Sequence, residues 1–364
     1  MSKVSDYTIA VVGSHSALDV CSGAKSIGFK TLVIVEPGRD KTYSHYYKTT
    51  ADTGCIDEIL ELPKFKNILD EKNQKILNSK NSIFIPHRSF EVYVNDYDAI
   101  ENDFKVPIFG NRKLLRSEER SVKPNQYDIL ETAGIKFPKA FSSADEIDRL
   151  VIVKVAEKER GFERAFFLAS SKRDFKITSD LLLTEGKITK EALESAVIEE
   201  FVLGVQINFN FFYSPIYNRL ELIGTDTRRQ TNLDGMLRLP AIYQNQIIDK
   251  VHLKYEEAGH IAVTSLESLL EPAYDAGERF IKACQKLFSP GVIGPFSLQS
   301  VITAGPPKKE IIVFDVSPRM PGSPGIAATP YSKYLYGKPL SMGERIAMEI
   351  KDGIAKNQLQ TLLT

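Results

Sequence analysis

The sequence predicts a multidomain protein in which an α/β opening domain is followed by α+β units. Three observations carry this reading. The chain has 364 residues, more than one hydrophobic core usually supports. Its first third alternates short β-branched runs with helical patterns, as βαβ units do. Beyond residue 120 the alternation gives way to paired strands joined by Gly- and Pro-bearing turns. The expected division is an α/β domain over 1–120, a small lobe over 121–205 and a larger lobe over 206–364.

Composition excludes several classes. Lys plus Arg and Asp plus Glu number 47 each, so no global field gathers nucleic acid or an anionic membrane. Affinity for anions must then come from a local site. Hydrophobic content of 43% and charged content of 26% are those of an ordinary globular protein. No apolar run approaches the roughly 20 residues of a membrane span, and the first residues lack a signal-peptide layout, so a cytoplasmic protein is expected. Cys21, Cys55 and Cys284 lack metal or CxxC spacing and read as reduced packing residues.

Residues 7–12 form an apolar β-branched run, followed by Gly13-Ser14-His15-Ser16, a helical pattern to Ile27 and a second strand at 31–35. A strand that turns through Gly into a helix presents backbone N–H groups and hydroxyls to a phosphate, so Ser14, His15 and Ser16 are candidate substrate ligands. A helix cap with an incidental histidine is the plain alternative. The single glycine does not make a GxGxxG fingerprint, so Glu36 is not expected to hold a ribose. Arg39 follows the second strand. A third strand at 82–85 ends in Pro86-His87-Arg88-Ser89. Ligands of α/β folds bind beyond such strand ends, which makes His15, Arg39, His87, Arg88 and Ser89 one candidate group. Residues 106–109 read as a further strand, before a charged helical region.

Residues 151–154 and 166–169 read as a hairpin around Lys154, with Arg160 and Arg164 in the intervening loop. Such a loop suits closure over phosphates or simple solvation. The run 197–202 places Glu199 and Glu200 side by side in an apolar strand, where one carboxylate needs a partner: a ribose, an adenine edge or a lysine. Long strands at 205–213 and 220–224 follow. The polar run 225–232 holds Arg228 and Arg229, candidates for stabilising charge on a transferring phosphoryl group, and Asp234-Gly235 reads as a turn. His260 precedes a helix expected over 268–287, and a last helix is expected over 342–354.

The densest signal is a hairpin of strands 296–303 and 310–317. Residues two apart on a strand share a face, and paired residues lie roughly 5 Å apart. Gln299, Asp315 and Ser317 can therefore offer oxygen ligands to one point, with Arg319 next in line. Oxygen ligands with few carboxylates suit Mg²⁺ held jointly with substrate phosphates; an ordinary polar hairpin face is the alternative.

Several strings, read together, resemble one family: GSHSALDVCSGAKSIGF, FIPHRSF, VPIFGNRKLLRSEERS, VIEEFVLG, LELIGTDTRRQTNLDG, IGPFSLQS, VFDVSPRMPGSPG and PLSMGERIAMEIK. They span nearly the whole chain and are similar to the PurP family of formate-dependent AICAR ligases, which have the ATP-grasp fold with an N-terminal Rossmann-like domain. The resemblance implies a cytoplasmic homo-oligomer that formylates AICAR from ATP and formate in purine synthesis, with Mg²⁺ or Mn²⁺. It implies AICAR contacts at His15 and Ser89, flanked by Ser14, Ser16 and His87, with His260 where the family carries Asn. It places ATP contacts at Lys154, at Glu199, Glu200, Phe201 and Val202, and at Asn232, with Arg160 in the phosphate loop. Metal ligands fall at Gln299 and Asp315, where the family carries Glu, and a phosphate ligand at Arg319. The less glycine-rich loop, Asp315 and His260 leave two alternatives: a paralog using another carboxylate or amine, and a nucleotide-binding protein without turnover.

Overall fold

The computed structural model describes residues 3–119, 122–156, 164–231, 233–248, 250–251, 257–305 and 307–364. Packing divides the chain into two compact units. Unit 1 comprises residues 1–135, 206–300 and 315–364; unit 2 comprises 136–205 and 301–314.

Unit 1 opens with a four-stranded parallel sheet of order β3-β2-β1-β4, built from β1 (Thr8–Val12), β2 (Lys30–Val35), β3 (Glu58–Glu61) and β4 (Ser82–Phe84). Every residue of β1 is buried, as a central parallel strand covered on both faces requires. Ile9 and Val11 join one apolar cluster, and Ala10 and Val12 join the cluster on the opposite face. The helix Ala17–Ile27 and the helix Met342–Ala355 both contribute to the first cluster. They cross at glycines: a Cβ on Gly23 would lie 2.1 Å from the Glu344 amide nitrogen, and one on Gly343 would lie 2.1 Å from the Asp19 carbonyl oxygen.

Strand β3 has no counterpart in the sequence reading, because Glu-Ile-Leu-Glu at a half-exposed edge shows no sustained apolar run. The strand expected at 106–109 is reduced to isolated bridges from Ile108 to Phe84 and from Phe109 to Leu363. Pro107 has no N–H to continue a ladder, although its carbonyl accepts from Phe84 at 2.8 Å.

Unit 2 contains a four-stranded antiparallel sheet of order β5-β8-β6-β7: β5 (Ala140–Phe141), β6 (Val151–Ala156), β7 (Arg164–Ala169) and β8 (Val197–Glu200). Val151, Val153, Val155, Phe167 and Ile198 form its core with Ile188 and Phe141. The hairpin around Lys154 is β6 paired with β7, and the loop residue Arg160 lies outside the described residues.

The third sheet has order β11-β10-β9-β12-β13, with β9 (Val205–Ser214), β10 (Arg219–Gln230), β11 (Glu257–Ala262), β12 (Gly294–Ile302) and β13 (Ile311–Ser317). Within unit 1, the helix Leu270–Leu287 packs Phe280 against Phe296 of β12 at 5.1 Å between ring centres, and Phe211 of β9 stacks on Phe296 at 5.4 Å. Strand β10 runs six residues past its expected end, through the polar stretch to Gln230. Those residues remain extended because β11 pairs with them, Arg228 opposite His260 and Asp226 opposite Ala262. Asp234 and Gly235 lie in a short helix, Leu233–Leu237, rather than a turn; the Asp234 carboxylate accepts from the Gln230 amide at 2.5 Å.

The glycine crossing is testable. Gly23→Ala should lower the unfolding free energy by about 1–3 kcal/mol through overpacking against backbone that has no rotamer to yield. Chemical denaturation reads this, and an unchanged midpoint would show that the helices separate without cost.

Candidate functional site

Three side-chain groups in unit 1 and one in unit 2 gather most of the residues singled out in the sequence. The first lies at the turn after β1. Ser89 Oγ donates to Ser14 Oγ at 2.8 Å, so the ends of β1 and β4 meet as expected. His87, expected beside the substrate, lies at this turn as a buried ring. It is 0% exposed, its Nδ1 accepts from the Ser89 amide at 3.2 Å, and its Nε2 faces the Val12 carbonyl at 2.9 Å. These partners require a neutral ring protonated on Nε2. Burial drives its pKa down from 6.5 to about 4, with the Val12 bond opposing. His87 thus braces the turn from below. Ser16 does not cap its helix either: its hydroxyl donates to the Pro321 carbonyl at 3.0 Å. Arg39 is exposed and lies over Phe65 and Tyr93, 5.4 and 5.3 Å from their centres. Glu36 accepts from the Phe65 amide at 2.6 Å, a structural role consistent with the missing fingerprint.

The second group surrounds Asp226. This carboxylate is 1% exposed and accepts from Asn208 Nδ2 at 3.0 Å, Asn210 Nδ2 at 2.6 Å and Ser323 Oγ at 3.0 Å, and it also pairs with His260 Nδ1. On the other side of the His260 ring, Nε2 lies 2.9 Å from Glu257 Oε1. The same oxygen lies 3.2 Å from His15 Nε2. Burial disfavours a charged His260, but its bonds to Asp226 and Glu257 outweigh burial and lift the pKa to about 9. Burial would raise Glu257, yet His15, His260 and Arg228 hold it well below the usual carboxylate range. His15 and His260, far apart in sequence, therefore meet at Glu257. A Cβ at Gly322 would fall 1.6 Å from His15 Cε1, so glycine is what leaves room for the ring.

The third group centres on the β12–β13 hairpin. Gln299 is 4% exposed; its Nε2 donates to Ser317 Oγ at 3.1 Å and its Oε1 accepts from the Arg228 guanidinium at 2.7 Å. The expected sharing of a face by Gln299 and Ser317 is thereby met. Arg228 Nε makes no hydrogen bond and lies 3.5 Å from Glu257 Oε2. Arg319 is buried and committed: it donates to both oxygens of Glu118 at 2.8 and 2.7 Å and to Glu91 Oε1 at 3.1 Å. Burial pushes Glu118 up to about 7; Arg319 and Arg88 oppose, while Glu91 and Asp315 add to the rise. The amide oxygen of Gln299 and the carboxylate of Asp315 are oxygen donors of the kind a hard divalent cation takes.

In unit 2, Lys154 Nζ lies 2.5 Å from Glu199 Oε2, and Glu199 is buried. Of the partners open to the adjacent glutamates, the lysine is the one present. Glu200 accepts from Arg149 at 3.3 Å and from the Lys139 amide at 3.3 Å. Phe201 and Val202 follow β8 and are partly buried. Asn232 lies outside the described residues. Sequence reading assigned no role to Asp226, Glu257, Glu91 or Glu118. The two-residue spacing of Asp226 and Arg228 on one strand is the signal that would have exposed the first of these.

Two family models match: a protein of unknown function, DUF1246, over residues 9–141 and a domain of unknown function, DUF1297, over 174–364. A crystal structure described as an IMP biosynthesis protein PurP from Thermococcus kodakaraensis is 29% identical, with a TM-score of 0.73, covering 98% of this chain and 100% of that one. A 5-formaminoimidazole-4-carboxamide-1-(beta)-D-ribofuranosyl 5'-monophosphate synthetase from Methanopyrus kandleri is 38% identical over 99% of this chain and 95% of its own length. The chain belongs to the PurP family. A synthetase of the same name from Methanothermobacter thermautotrophicus is 37% identical over 99% of this chain and 95% of its own length. The ADP complex of an N5-carboxyaminoimidazole ribonucleotide synthetase, 12% identical with a TM-score of 0.58 over 92% of this chain and 78% of that one, shares the fold. That fold is ATP-grasp, the architecture expected of a PurP protein. Cys21 and Cys284 are buried, and all three cysteines are free, as anticipated.

The buried His87 gives a pH signature. Its pKa is depressed on folding, so its contribution to stability is complete above the ordinary value of 6.5 and is lost as pH falls through about 4. Urea midpoints measured between pH 7 and pH 4 should fall less steeply for His87→Gln than for the parent chain, whatever the offset at pH 7.

Proposed function

We propose that this chain formylates AICAR to FAICAR with ATP and formate, the reaction for which its relatives are named. The observation that carries the proposal is the 38% identity that extends over 99% of the chain, across both units. The site groups support it with chemistry of the right kind. Ser14, Ser89 and His15 present hydroxyls and an imidazole at the end of a parallel strand, where the helix Ala17–Ile27 begins and would stabilise a nucleotide phosphate. His260 and Glu257 lie beside His15 and would recognise the amine or carboxamide end of AICAR.

Formate is a poor electrophile. Its oxygen attacks the γ-phosphorus of ATP, ADP leaves, and formyl phosphate results. The AICAR amine then attacks the formyl carbon, and phosphate departs with the amine proton. Each step develops charge on phosphoryl oxygens, and guanidinium donors fixed in advance stabilise that charge without reorganising. Arg228 suits this role because Gln299 and Glu257 orient it while its Nε retains an unused donor. Arg319 is held by Glu118 and Glu91, so its side chain is fixed before substrate arrives. Lys154, Glu199, Glu200, Phe201 and Val202 are assigned to ATP, Lys154 to its phosphates. Gln299 and Asp315 would hold Mg²⁺ or Mn²⁺, which supplies charge neutralisation at the β- and γ-phosphates. We place the reaction in the cytoplasm, consistent with three free cysteines.

ADP release should require AICAR and formate together, with Mg²⁺ and ATP present. Turnover with AICAR in the absence of formate would sink the assignment. Asp315→Asn should reduce kcat by roughly a hundredfold or more while AICAR affinity, read by calorimetry, changes less than about threefold. Equal losses in both would make the hairpin structural.

A further inference from the structure

The contacts of His15, Glu257 and His260 become informative once each hydrogen is accounted for. His260 Nδ1 faces Asp226, a buried carboxylate already accepting from Asn208, Asn210 and Ser323. A carboxylate so held is an acceptor only, which places the ring hydrogen on Nδ1 and leaves a lone pair on Nε2 of the neutral ring. Ser16 spends its one hydroxyl hydrogen on the Pro321 carbonyl, so its 3.2 Å contact with His15 Nδ1 requires the hydrogen on that nitrogen. His15 Nε2 then carries a lone pair as well. Both lone pairs point at one oxygen: Glu257 Oε1 lies 2.9 Å from His260 Nε2 and 3.2 Å from His15 Nε2.

Three acceptors converging in this way repel unless positive charge lies among them. A charged His260, which Asp226 and Glu257 both favour, supplies one positive charge but leaves the His15 Nε2 lone pair facing Glu257 Oε1 at 3.2 Å. One cation satisfies all three acceptors at once. We propose that His15, Glu257 and His260 bind a divalent transition-metal ion, at a position distinct from the Gln299 and Asp315 oxygens.

The geometry suits such an ion. Two ligands about 2.0 Å from a tetrahedral zinc lie roughly 3.3 Å from each other, close to the contacts observed. The three donor atoms already lie within 4.8 Å of one another. Two imidazoles and one carboxylate favour Zn²⁺, Fe²⁺ or Co²⁺ over Mg²⁺, which prefers oxygen alone. The supporting shell is also present. Asp226 orients His260 in the way that carboxylates orient metal-bound imidazoles, Ser16 orients His15, and Arg228 lies near the second oxygen of Glu257. His15 and Glu257 side chains are each 32% exposed, so an ion can enter, and its open positions remain for water or for the amine or carboxamide that these side chains would then hold through the ion. The site does not require that the chain formylate anything.

Cobalt tests this without reference to turnover. Tag-free protein stripped with chelator is titrated with Co²⁺ in excess Mg²⁺, which occupies oxygen-only sites. One equivalent per chain is expected, with visible d–d absorption that Zn²⁺ abolishes. His260→Gln and Glu257→Gln should each weaken Co²⁺ binding by at least tenfold, Asp226→Asn by about tenfold, and Asp315→Asn should leave it unchanged. Circular dichroism checks that each variant is folded. Absence of the band at 100 µM (about ten times the highest dissociation constant expected for such a site) would overturn the proposal. So would binding that survives in a folded His15→Ala/Glu257→Gln double variant, or that disappears with Asp315→Asn.

Discussion

Asp226 is a carboxylate that folding removes from water almost completely, and much of unit 1 is arranged to make that tolerable. Stripped of solvent, an isolated carboxylate costs several kcal/mol. Here donors from β9, from β11 and from the segment after β13 converge on its two oxygens. The donors come from three separate parts of the chain, so the charge acts as a register pin. If β11 slips by one residue, His260 turns to the opposite face and the anion loses a cationic partner. The arrangement therefore fixes the ring that reaches Glu257 and His15 as firmly as it fixes the strands.

What the sequence disclosed follows from which forces are local. The βαβ opening, the Lys154 hairpin and the β12–β13 pair each rest on short-range alternation and turn residues, and each was read within a few residues of its true bounds. Strand β11 was not read at all. Its sequence, Glu-Ala-Gly-His-Ile-Ala, has little apolar character, and it is extended because β10 supplies a partner. The polar half of β10 was hidden for the same reason: Asp226 looks like a loop residue until Asn208 and Asn210 are brought opposite it. The same limit applied to His87. Its position after β4 was legible, whereas its burial depends on Val12 and on the helix that starts at Arg88.

The carboxylates around Arg319 carry a similar lesson about charge. Glu91, Glu118, Arg88 and Arg319 are drawn from the helix after β4, the charged segment near residue 118 and the end of the hairpin strand. None is informative alone in a chain with 47 charges of each sign. Assembled, they hold the Arg319 guanidinium in one orientation, against Glu91 and Glu118. Replacing such a network by apolar residues often costs little in stability, so its presence beside the proposed phosphate site is better explained by placement than by strength.

The crossing of the helices at Gly23 and Gly343 also bears on how the molecule comes into being. The two glycines are roughly 320 residues apart in a chain that emerges from the ribosome in order. At about 5–20 residues per second, the first sheet waits some tens of seconds with one apolar face only partly covered, by the helix Ala17–Ile27. The turn carrying His15 is thus synthesised long before the helix that gives it its final support. During that interval the nascent sheet is a surface for chaperones, or for a second nascent copy, to occupy.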